Sequence, residues 1–386
     1  MGDTDGWRRA ALDYHSKFEE DFVFFVPGAL EGAPPLCIAQ APSATAAAKR
    51  VGCRRPAAPA DRRGAGSTAR GAGPASTSSP DGSDDAEDPI PATGFTVWDA
   101  GVLLGAYVSQ PEVWLRLTTD DPPRKPTRVV NATGDVAGDK NATSAATTTL
   151  RSLSLTDSGP SRPNEERPTV LELGAGTGVA GLALASTGQP SAVVLTDLPG
   201  VCDFLRHNAA RNATPPRGAR DGKNRSSRGR SDSVDRLRAP IPAHTALAVA
   251  PLRWGVASDV ARLRAAFRTP HLTLGADLAY AEDAAAVEKL CATVRWCVPR
   301  GGVAVFASCR DHRPASVDLL ETLLTNDGAF EARRVRRNEL AEGFGREEAR
   351  GGEQGFESFR VVEFRRVAGD AMSEAEAEAI RAREAQ

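Results

Sequence analysis

The sequence has 386 residues, with 48 Lys and Arg against 50 Asp and Glu, a formal net charge of -2. No apolar run approaches the roughly 20 residues that cross a bilayer, and the six cysteines form no C-x-x-C pair, a pattern typical of reduced thiols. Asp3, Asp5, Asp13 and Glu19 suit neither a secretory nor an organellar leader. The composition excludes membrane-spanning, disulfide-rich secreted and collagen-like classes. We expect a monomer in the cytoplasm or nucleus.

Three polar stretches, 41–93, 119–168 and 213–243, are too poor in apolar residues to build a core. Burial in such segments does not offset their ordering entropy, so they are predicted to be disordered insertions. Long surface insertions are tolerated because the cost of loop closure grows only logarithmically with length. The sequence therefore predicts one domain at 14–366, interrupted three times, followed by a polar tail at 367–386.

The insertion at 213–243 is basic, which raises the alternative of nucleic-acid binding. It contains no aromatic residue that could stack on a base, so a solvated loop is favoured.

In the tail, Ser373-Glu374-Ala375-Glu376 has the pattern of a capping box before a short helix. We expect this helix to be a solvated appendage.

The remaining blocks alternate between strand and helix patterns. Trp98-Asp99 opens an amphipathic stretch at helical spacing, and later apolar runs are near-continuous, as in buried parallel strands. Such a series predicts an open, twisted, mostly parallel α/β sheet with right-handed crossovers, whose ligands bind at the carboxyl ends of the strands. The predicted elements are strand 169–173, helix 179–187, strand 192–196, helix 199–212, strands 245–250 and 272–276, helix 282–298, strand 303–307, helix 315–325 and an antiparallel pair, 330–335 with 356–364.

A glycine-rich loop follows the strand at 169–173. Its residues are Glu172-Leu173-Gly174-Ala175-Gly176-Thr177-Gly178, and glycines suit a tight turn that a ligand approaches closely. The next strand ends at Asp197, 23 residues after Gly174, where a carboxylate beside the loop can accept both hydroxyls of a ribose. A tight strand–helix turn without a ligand is the less favoured alternative.

The glycines alone do not decide between S-adenosylmethionine and NAD, because Gly176, Gly178 and Gly181 also satisfy the dinucleotide fingerprint. A pyrophosphate would then sit at the helix N-terminus. Glu172 is electrostatically unfavourable beside a pyrophosphate and favourable beside a cationic amino-acid group. This favours S-adenosylmethionine over NAD.

Several motifs together resemble methyltransferase family 16, of the methyltransferase-like 21 type. They are V-L-E-L-G-A-G-T-G-V-A-G at 170–181, V-L-T-D-L-P at 194–199, F-T-V-W-D-A-G-V-L-L-G-A-Y-V at 95–108 and G-A-D-L-A-Y at 275–280. The resemblance implies a Rossmann-like seven-stranded class I fold with helices on both faces and S-adenosylmethionine as cofactor. The early block F-V-F-F-V-P-G with P-L-C-I-A-Q is similar to the N-terminal β-hairpin of that family.

The resemblance also assigns the cofactor site. Trp98 would border the cofactor, although a buried aromatic that anchors a helix is the alternative. Trp254 would pack beside the adenine, since a flat ring gives a large contact area, and Arg253 stands where the family often has an acidic or polar residue. The cofactor-binding residues implied are Trp98, Glu172, Gly174, Ala175, Gly176, Gly178, Asp197, Leu198, Trp254 and Ala276.

Asp277 and Tyr280 are the predicted catalytic residues, at the carboxyl edge where a methyl acceptor must approach. A lysine amine attacks only when neutral and aligned, so the site needs a group that orients it. We assign this role to Asp277 through a charge-assisted hydrogen bond, with Tyr280 lining the channel. The alternative is that Asp277 caps the helix at 282–298.

The sequence therefore predicts a protein-lysine methyltransferase, and related enzymes act on chaperones and translation factors. Methyl transfer to nucleic acid or a small molecule, and a catalytically inactive interaction protein, are the alternatives. Nucleic-acid methyltransferases typically carry two prolines where this chain has Leu278 and Ala279. The histidines show no metal-ligand spacing, so no metal is expected.

Overall fold

The computed structural model describes residues 21–52, 92–119, 167–213, 239–279, 284–310, 314–342 and 358–384. In chain order the elements are β1 Phe22–Phe24, β2 Leu36–Ile38, α1 Ala44–Val51, a 3₁₀ turn at Ala92–Phe95, α2 Asp99–Val108, α3 Pro111–Thr118, β3 Thr169–Leu173, α4 Val179–Ser186, β4 Ala192–Asp197, α5 Pro199–Asn212, β5 Ala246–Pro251, α6 Ala257–Ala266, β6 Leu272–Ala276, α7 Ala284–Cys297, β7 Val303–Cys309, α8 Pro314–Thr325, β8 Phe330–Arg334, α9 Arg337–Glu342, β9 Phe359–Arg366 and α10 Glu374–Glu384.

The described strands form a seven-stranded sheet in the order β5-β4-β3-β6-β7-β9-β8. The pairs from β5 to β7 are parallel, whereas β9 is antiparallel to both β7 and β8. The chain runs outward from β3 to β5 and then returns to β6 on the other side of β3. The strand order therefore reverses between β3 and β6, where open α/β sheets bind ligands. The predicted Rossmann-like sheet is confirmed, as is the antiparallel β1–β2 hairpin.

Alternate residues of the central strands supply two cores, one on each face of the sheet. Val170 and Leu195 pack with α2, α4 and α5, whereas Leu171, Val194 and Phe306 pack with α6, α7 and α8. The alternation follows from the two-residue repeat of a strand. Each fully buried Val, Leu or Phe contributes about 1.5–3 kcal/mol, so the parallel strands are anchored from both faces.

Helix α2 is buried on all sides, so the prediction of an amphipathic helix was wrong. Every residue from Ala100 to Val108 is buried, because the helix packs on β6 and β7 and is also contacted by α3 and α4. A Cβ at Gly101 would come 2.8 Å from Val179 Cγ1, and one at Gly105 would come 3.0 Å from Ala183 Cβ. The two glycines thus let α2 cross α4 closely.

A buried polar cluster fixes α2 to the far end of the sheet. The Tyr107 hydroxyl donates to Glu363 Oε1 at 2.5 Å, and Arg116 and Arg333 reach the same carboxylate at 2.6 and 2.7 Å. Because both arginines also donate to the Tyr107 oxygen, the buried groups are mutually satisfied. The cluster joins α2 and α3 to β8 and β9.

Most predicted elements agree with the structure, whereas helices α3, α6 and α9 were not predicted. The strands 169–173 and 272–276 and the helix 199–212 have the predicted bounds. Helix α6 was not predicted, because Ser258, Asp259, Arg262 and Arg264 interrupt its apolar spacing. Tertiary packing, not local pattern, selects this helix.

Parts of the predicted insertions are ordered elements. Helix α1 lies inside 41–93, with Ser43 as N-cap and Gly52 as left-handed C-cap, so the prediction of disorder was wrong for these residues. Ile241, within 213–243, is buried and its amide donates to Asn212. Residues 53–91, 120–166 and 214–238 lie outside the described residues.

The C-terminal tail is packed against the domain. The predicted capping box is confirmed: Ser373 N donates to Glu376 Oε2 at 2.8 Å, and Glu376 N donates to Ser373 Oγ at 3.2 Å. Met372 and Ala377 are nevertheless buried in the core beside α6, so the prediction of a solvated appendage was wrong. Among the described helices, none combines the length and apolarity needed to cross a bilayer.

Candidate functional site

The glycine loop connects β3 to α4 at the point where the strand order reverses. Gly174, Gly176 and Gly178 all have left-handed φ angles, of 54°, 54° and 82°, which favour glycine. The loop is held to the neighbouring strand because Ala175 N donates to Thr196 O at 2.8 Å. The sequence-predicted loop residues therefore form a tight turn at the carboxyl edge of the sheet.

Asp197 lies beside this loop, as its position after β4 predicts. Its Oδ2 accepts the Gly176 amide at 2.6 Å, and its Oδ1 accepts the Leu198 amide at 2.7 Å. Burial raises the pKa of Asp197 to about 6, and the two amides act against that rise. A carboxylate has about four acceptor positions, so these two contacts leave capacity for the hydroxyls of a ligand.

Glu172 occupies a different position from the one its sequence suggests. The side chain is 2% exposed, and Oε2 accepts the Gly181 amide in the first turn of α4 at 2.8 Å. Burial raises the pKa of Glu172 to about 8, with a smaller contribution from the Asp197 charge. Because the group is then largely protonated at neutral pH, its attraction to a cationic ligand is weaker than the sequence indicates. Its described contact holds β3 to the first turn of α4.

The raised pKa of Glu172 makes stability depend on pH. The folded protein binds this proton more tightly than the unfolded chain, so the stabilisation is present below about pH 4.5 and is lost as the pH rises through 8. Between pH 6 and 9 we expect the free energy of unfolding of the wild type to fall. The fall in Glu172→Gln is expected to be smaller by about 2–3 kcal/mol. Urea unfolding at both pH values measures the two free energies, and Glu331→Gln, at an exposed position, is the control. Equal pH dependence in wild type and Glu172→Gln would contradict this burial effect.

Trp254 lies against the glycine loop on the side of β5. A Cβ built on Gly174 would come 3.0 Å from Trp254 Cζ2 and 2.6 Å from Leu278 Cδ2, so any larger residue at 174 would displace the ring. The neighbouring Arg253 guanidinium turns toward Asp259, with Nε 2.9 Å from Oδ2. The structure thus brings Trp254 to the loop and directs the Arg253 charge to α6.

Trp98 stands at the N-cap of α2 and is 40% exposed. The alternative of a buried anchoring aromatic is therefore wrong. The preceding segment is tied to the residues after β2, because Val97 N donates to Gln40 Oε1 at 3.0 Å and Ala41 N donates to Phe95 O at 2.9 Å. The 3₁₀ turn of this segment lies beside the loop, with Gly94 O 3.4 Å from the position of a Cβ on Gly176.

Asp277 follows β6 in a conformation that is rare for a residue with a side chain. Its φ is 53°, in the left-handed region where strained residues often mark functional sites. Its Oδ1 accepts the Cys309 amide at 2.7 Å, and its own amide donates to Ala307 O at 2.8 Å. These bonds hold Asp277 to β7, one residue after Ala276. Tyr280 and the start of the helix that Asp277 would cap lie outside the described residues.

Two site residues were missed by sequence reasoning. Leu278 is buried against Gly174 and joins the end of β6 to the loop. Asn208 is fully buried on α5, and its Nδ2 donates to Thr177 O at 3.0 Å and to Ala39 O at 3.2 Å. A polar residue on the apolar side of α5 is the signal that indicates Asn208, whereas no local signal indicates Leu278.

Part of the site lies within a span that matches a family of known proteins. The lysine methyltransferase family model matches residues 85–219. This span contains the glycine loop, Asp197 and Trp98, so the resemblance drawn from the motifs is confirmed there. None of the curated proteins compared with the sequence matches it. Among the described residues, no group of three or more His, Cys, Asp or Glu side chains is arranged to hold a metal ion.

Solved structures similar to this one include three methyltransferases of low sequence identity. An O-methyltransferase family protein from Burkholderia thailandensis is 14% identical, with a TM-score of 0.29 and coverage of 54% of this chain and 53% of that one. Human N-acetylserotonin methyltransferase, solved with SAM, is 11% identical at a TM-score of 0.30, with 52% and 48% covered. N-methyltransferase NodS from Bradyrhizobium japonicum, solved with S-adenosyl-L-homocysteine, is 16% identical at 0.29, with 52% and 78% covered. The match thus spans about half the length of the first two proteins.

Proposed function

We propose that this protein is an S-adenosylmethionine-dependent methyltransferase that modifies a lysine side chain of a protein substrate. The observation that carries the proposal is the convergence of the glycine loop, Asp197 and Trp254 where the strand order reverses, on a chain that the lysine methyltransferase family model matches. The proposed substrate is a protein of the cytoplasm or nucleus, such as a chaperone or translation factor.

The described residues fit a nucleoside without phosphate better than a dinucleotide. The Gly181 amide in the first turn of α4 is already bonded to the Glu172 carboxyl group. A pyrophosphate at this helix N-terminus would compete with that group for the same donor. Asp197 offers acceptors for ribose hydroxyls, and the Trp254 ring offers a flat apolar surface for adenine. These features support S-adenosylmethionine over NAD.

The bound cofactor would supply an electrophilic methyl group, and the protein would orient the acceptor. Asp277 is half-buried at the end of β6, and the Cys309 amide fixes the direction of its carboxylate. We assign Asp277 the role of holding the attacking amine by a charge-assisted hydrogen bond. Tyr280 is proposed to line the same channel. Orientation and partial desolvation of the amine would then supply the rate enhancement.

Calorimetry with S-adenosylmethionine and with NAD tests the cofactor. We expect S-adenosylmethionine to bind and NAD not to bind. Binding of NAD alone would refute the proposal.

Radiolabelled methyl transfer into a cell lysate tests the substrate class. Digestion of the labelled lysate by protease is expected to remove the label, whereas nuclease is expected to leave it. Label that is lost only to nuclease would exclude a protein substrate. Cofactor binding without transfer to any protein would instead favour the inactive interaction protein.

The Asp197→Asn variant tests the ribose contact. We expect it to weaken S-adenosylmethionine binding by about 10- to 100-fold, because a hydrogen bond to a charged group is worth about 1.5–3 kcal/mol. The asparagine oxygen can still accept the Gly176 amide, whereas its NH2 group cannot accept the Leu198 amide, so urea unfolding of the variant is measured alongside the affinity. Calorimetric Kd values measure the effect. Asp203→Asn, at an exposed residue of α5 paired with Arg206, is the matched control, and equal affinities in both variants would exclude the contact.

A further inference from the structure

Trp254 belongs to a four-residue segment, 252–255, whose backbone is held from three separate elements. Leu252 N donates to Asp197 O at 2.8 Å, at the end of β4. Arg253 N donates to Asp259 Oδ2 on α6 at 2.9 Å. Gly255 N donates to Thr293 Oγ1 on α7, also at 2.9 Å. The tryptophan is therefore flanked on both sides by amides bonded to side chains of two helices.

Both side chains are buried and satisfied. Asp259 is 5% exposed and Thr293 is 0% exposed. The Thr293 hydroxyl donates to Lys289 O at 2.9 Å while it accepts the Gly255 amide. Asp259 also pairs with the guanidinium groups of Arg253 and Arg262. Satisfied buried polar groups of this kind rigidify what they contact, so the segment has little freedom to shift.

The geometry after Trp254 adds a second restraint. Gly255 has a φ of 76°, and a Cβ at this position would come 2.7 Å from Lys289 Cγ. The chain thus turns sharply and packs against α7 directly after the tryptophan. On its other side the ring is close to Gly174 of the glycine loop. The position of the ring relative to that loop is consequently set by the backbone of 253 and 255.

We propose that Asp259 and Thr293 are positioning residues for Trp254, so that they control cofactor affinity through the ring. This inference rests on the proposed function, because it takes the Trp254 ring to be the adenine-contacting surface. A ring that is already held in its bound position loses little conformational freedom on binding. Neither side chain needs to contact the cofactor for this effect.

Calorimetric titration of the full-length chain with S-adenosylmethionine tests the proposal. Thr293→Val is nearly isosteric and removes the acceptor, so we expect Kd to rise about tenfold. Thr293→Ser restores the acceptor and is expected to bind within about twofold of wild type. Equal affinities for Thr293→Val and wild type would overturn the proposal.

Variants around Asp259 separate the backbone contact from the ion pair. Asp259→Ala is expected to raise Kd about tenfold, whereas Arg253→Ala keeps the amide contact and is expected to have a smaller effect. Arg262→Ala is the matched control, because Arg262 pairs with the same Asp259 carboxylate from within α6. The proposal would be contradicted if Arg253→Ala or Arg262→Ala weakened S-adenosylmethionine binding more than Asp259→Ala does.

A double-mutant cycle with Trp254→Ala distinguishes positioning from a general structural role. If Thr293 acts through the ring, Thr293→Val is expected to cause no further loss of affinity once the ring is absent. Equal losses in both backgrounds would overturn the inference and leave the proposed function intact. An unchanged Kd in Trp254→Ala alone would instead contradict the adenine site itself.

Discussion

Replacing Asp277 with asparagine is expected to lower the rate of methyl transfer by about 100-fold or more, with the affinity for S-adenosylmethionine unchanged. The loss follows from the charge, because a carboxylate holds a lysine amine in line more strongly than a neutral amide. Asparagine tolerates the left-handed φ of 53°, and its oxygen can still accept the Cys309 amide. The backbone is therefore expected to stay in place. Single-turnover rates and calorimetric Kd values measure the two effects separately.

Two further variants at this position serve as controls. Asp277→Gly also tolerates the φ angle but removes the bond to Cys309, and Asp277→Ala adds about 1–2 kcal/mol of backbone strain. We expect all three variants to lose about 100-fold or more in the rate of methyl transfer. Because of its backbone strain, Asp277→Ala is expected to be less stable than Asp277→Gly. Full turnover by Asp277→Asn would mean that the carboxylate charge has no part in the reaction.

The largest expected loss of stability comes from Gly181→Ala. A Cβ at this position would overlap Glu172 Oε2 and Leu195 Cδ2 and would lie 3.3 Å from Val193 Cγ1. All three neighbours are buried in the centre of the domain, so none can move without disturbing the sheet. Overpacking of this kind costs about 1–3 kcal/mol, and more where a buried hydrogen bond is also displaced. Denaturant unfolding is expected to show a loss of about 3 kcal/mol or more.

A second-site change tests the cause of that loss. Leu195→Val removes the Cδ2 atom that the new methyl group would meet. The double variant Gly181→Ala/Leu195→Val is therefore expected to lose less free energy of unfolding than the sum of the losses in the two single variants. If the two losses simply add, the overlap with Leu195 is not the source of the instability. Wild-type stability in Gly181→Ala would contradict the close packing of α4 on the sheet.

Gly181 also clarifies an ambiguity in the sequence. The spacing of Gly176, Gly178 and Gly181 fits a dinucleotide fingerprint, in which the third glycine allows close packing of helix and strand. Here Gly181 has that packing role against β3 and β4. Packing is a requirement of the turn itself, so this glycine does not discriminate between the two cofactors. The partner of its amide, Glu172, is the more informative residue.

The sheet could be predicted from the sequence because its central strands are near-continuous apolar runs. The same runs place the glycine loop beside Asp197, since β3 and β4 are parallel neighbours and their carboxyl ends meet at one edge. The local sequence pattern was therefore enough to predict the glycine loop and the position of Asp197. It was not enough to predict α6 or the full burial of α2, because both depend on packing between distant segments.

The hydrogen-bond partners of the site residues could not be predicted. Glu172 bonds to Gly181, Arg253 pairs with Asp259, and Asp277 accepts the Cys309 amide. Each of these pairings depends on the direction in which a side chain points in the folded protein. Residue type and spacing in the sequence do not determine that direction. The assignment of Tyr280 is still a prediction from resemblance.

The contact of Asn208 with both Thr177 and Ala39 has a consequence for the order of folding. Asn208 and Ala39 are separated by 169 residues along the chain, so bringing them together requires the closure of a very long loop. Contacts of such high sequence separation form slowly, because the entropy of closure is lost before the contact is gained. We therefore expect the sheet to assemble first and the glycine loop to acquire its final support only when the N-terminal hairpin docks. On this sequence of events, ligand binding would be among the last properties that a newly made chain acquires.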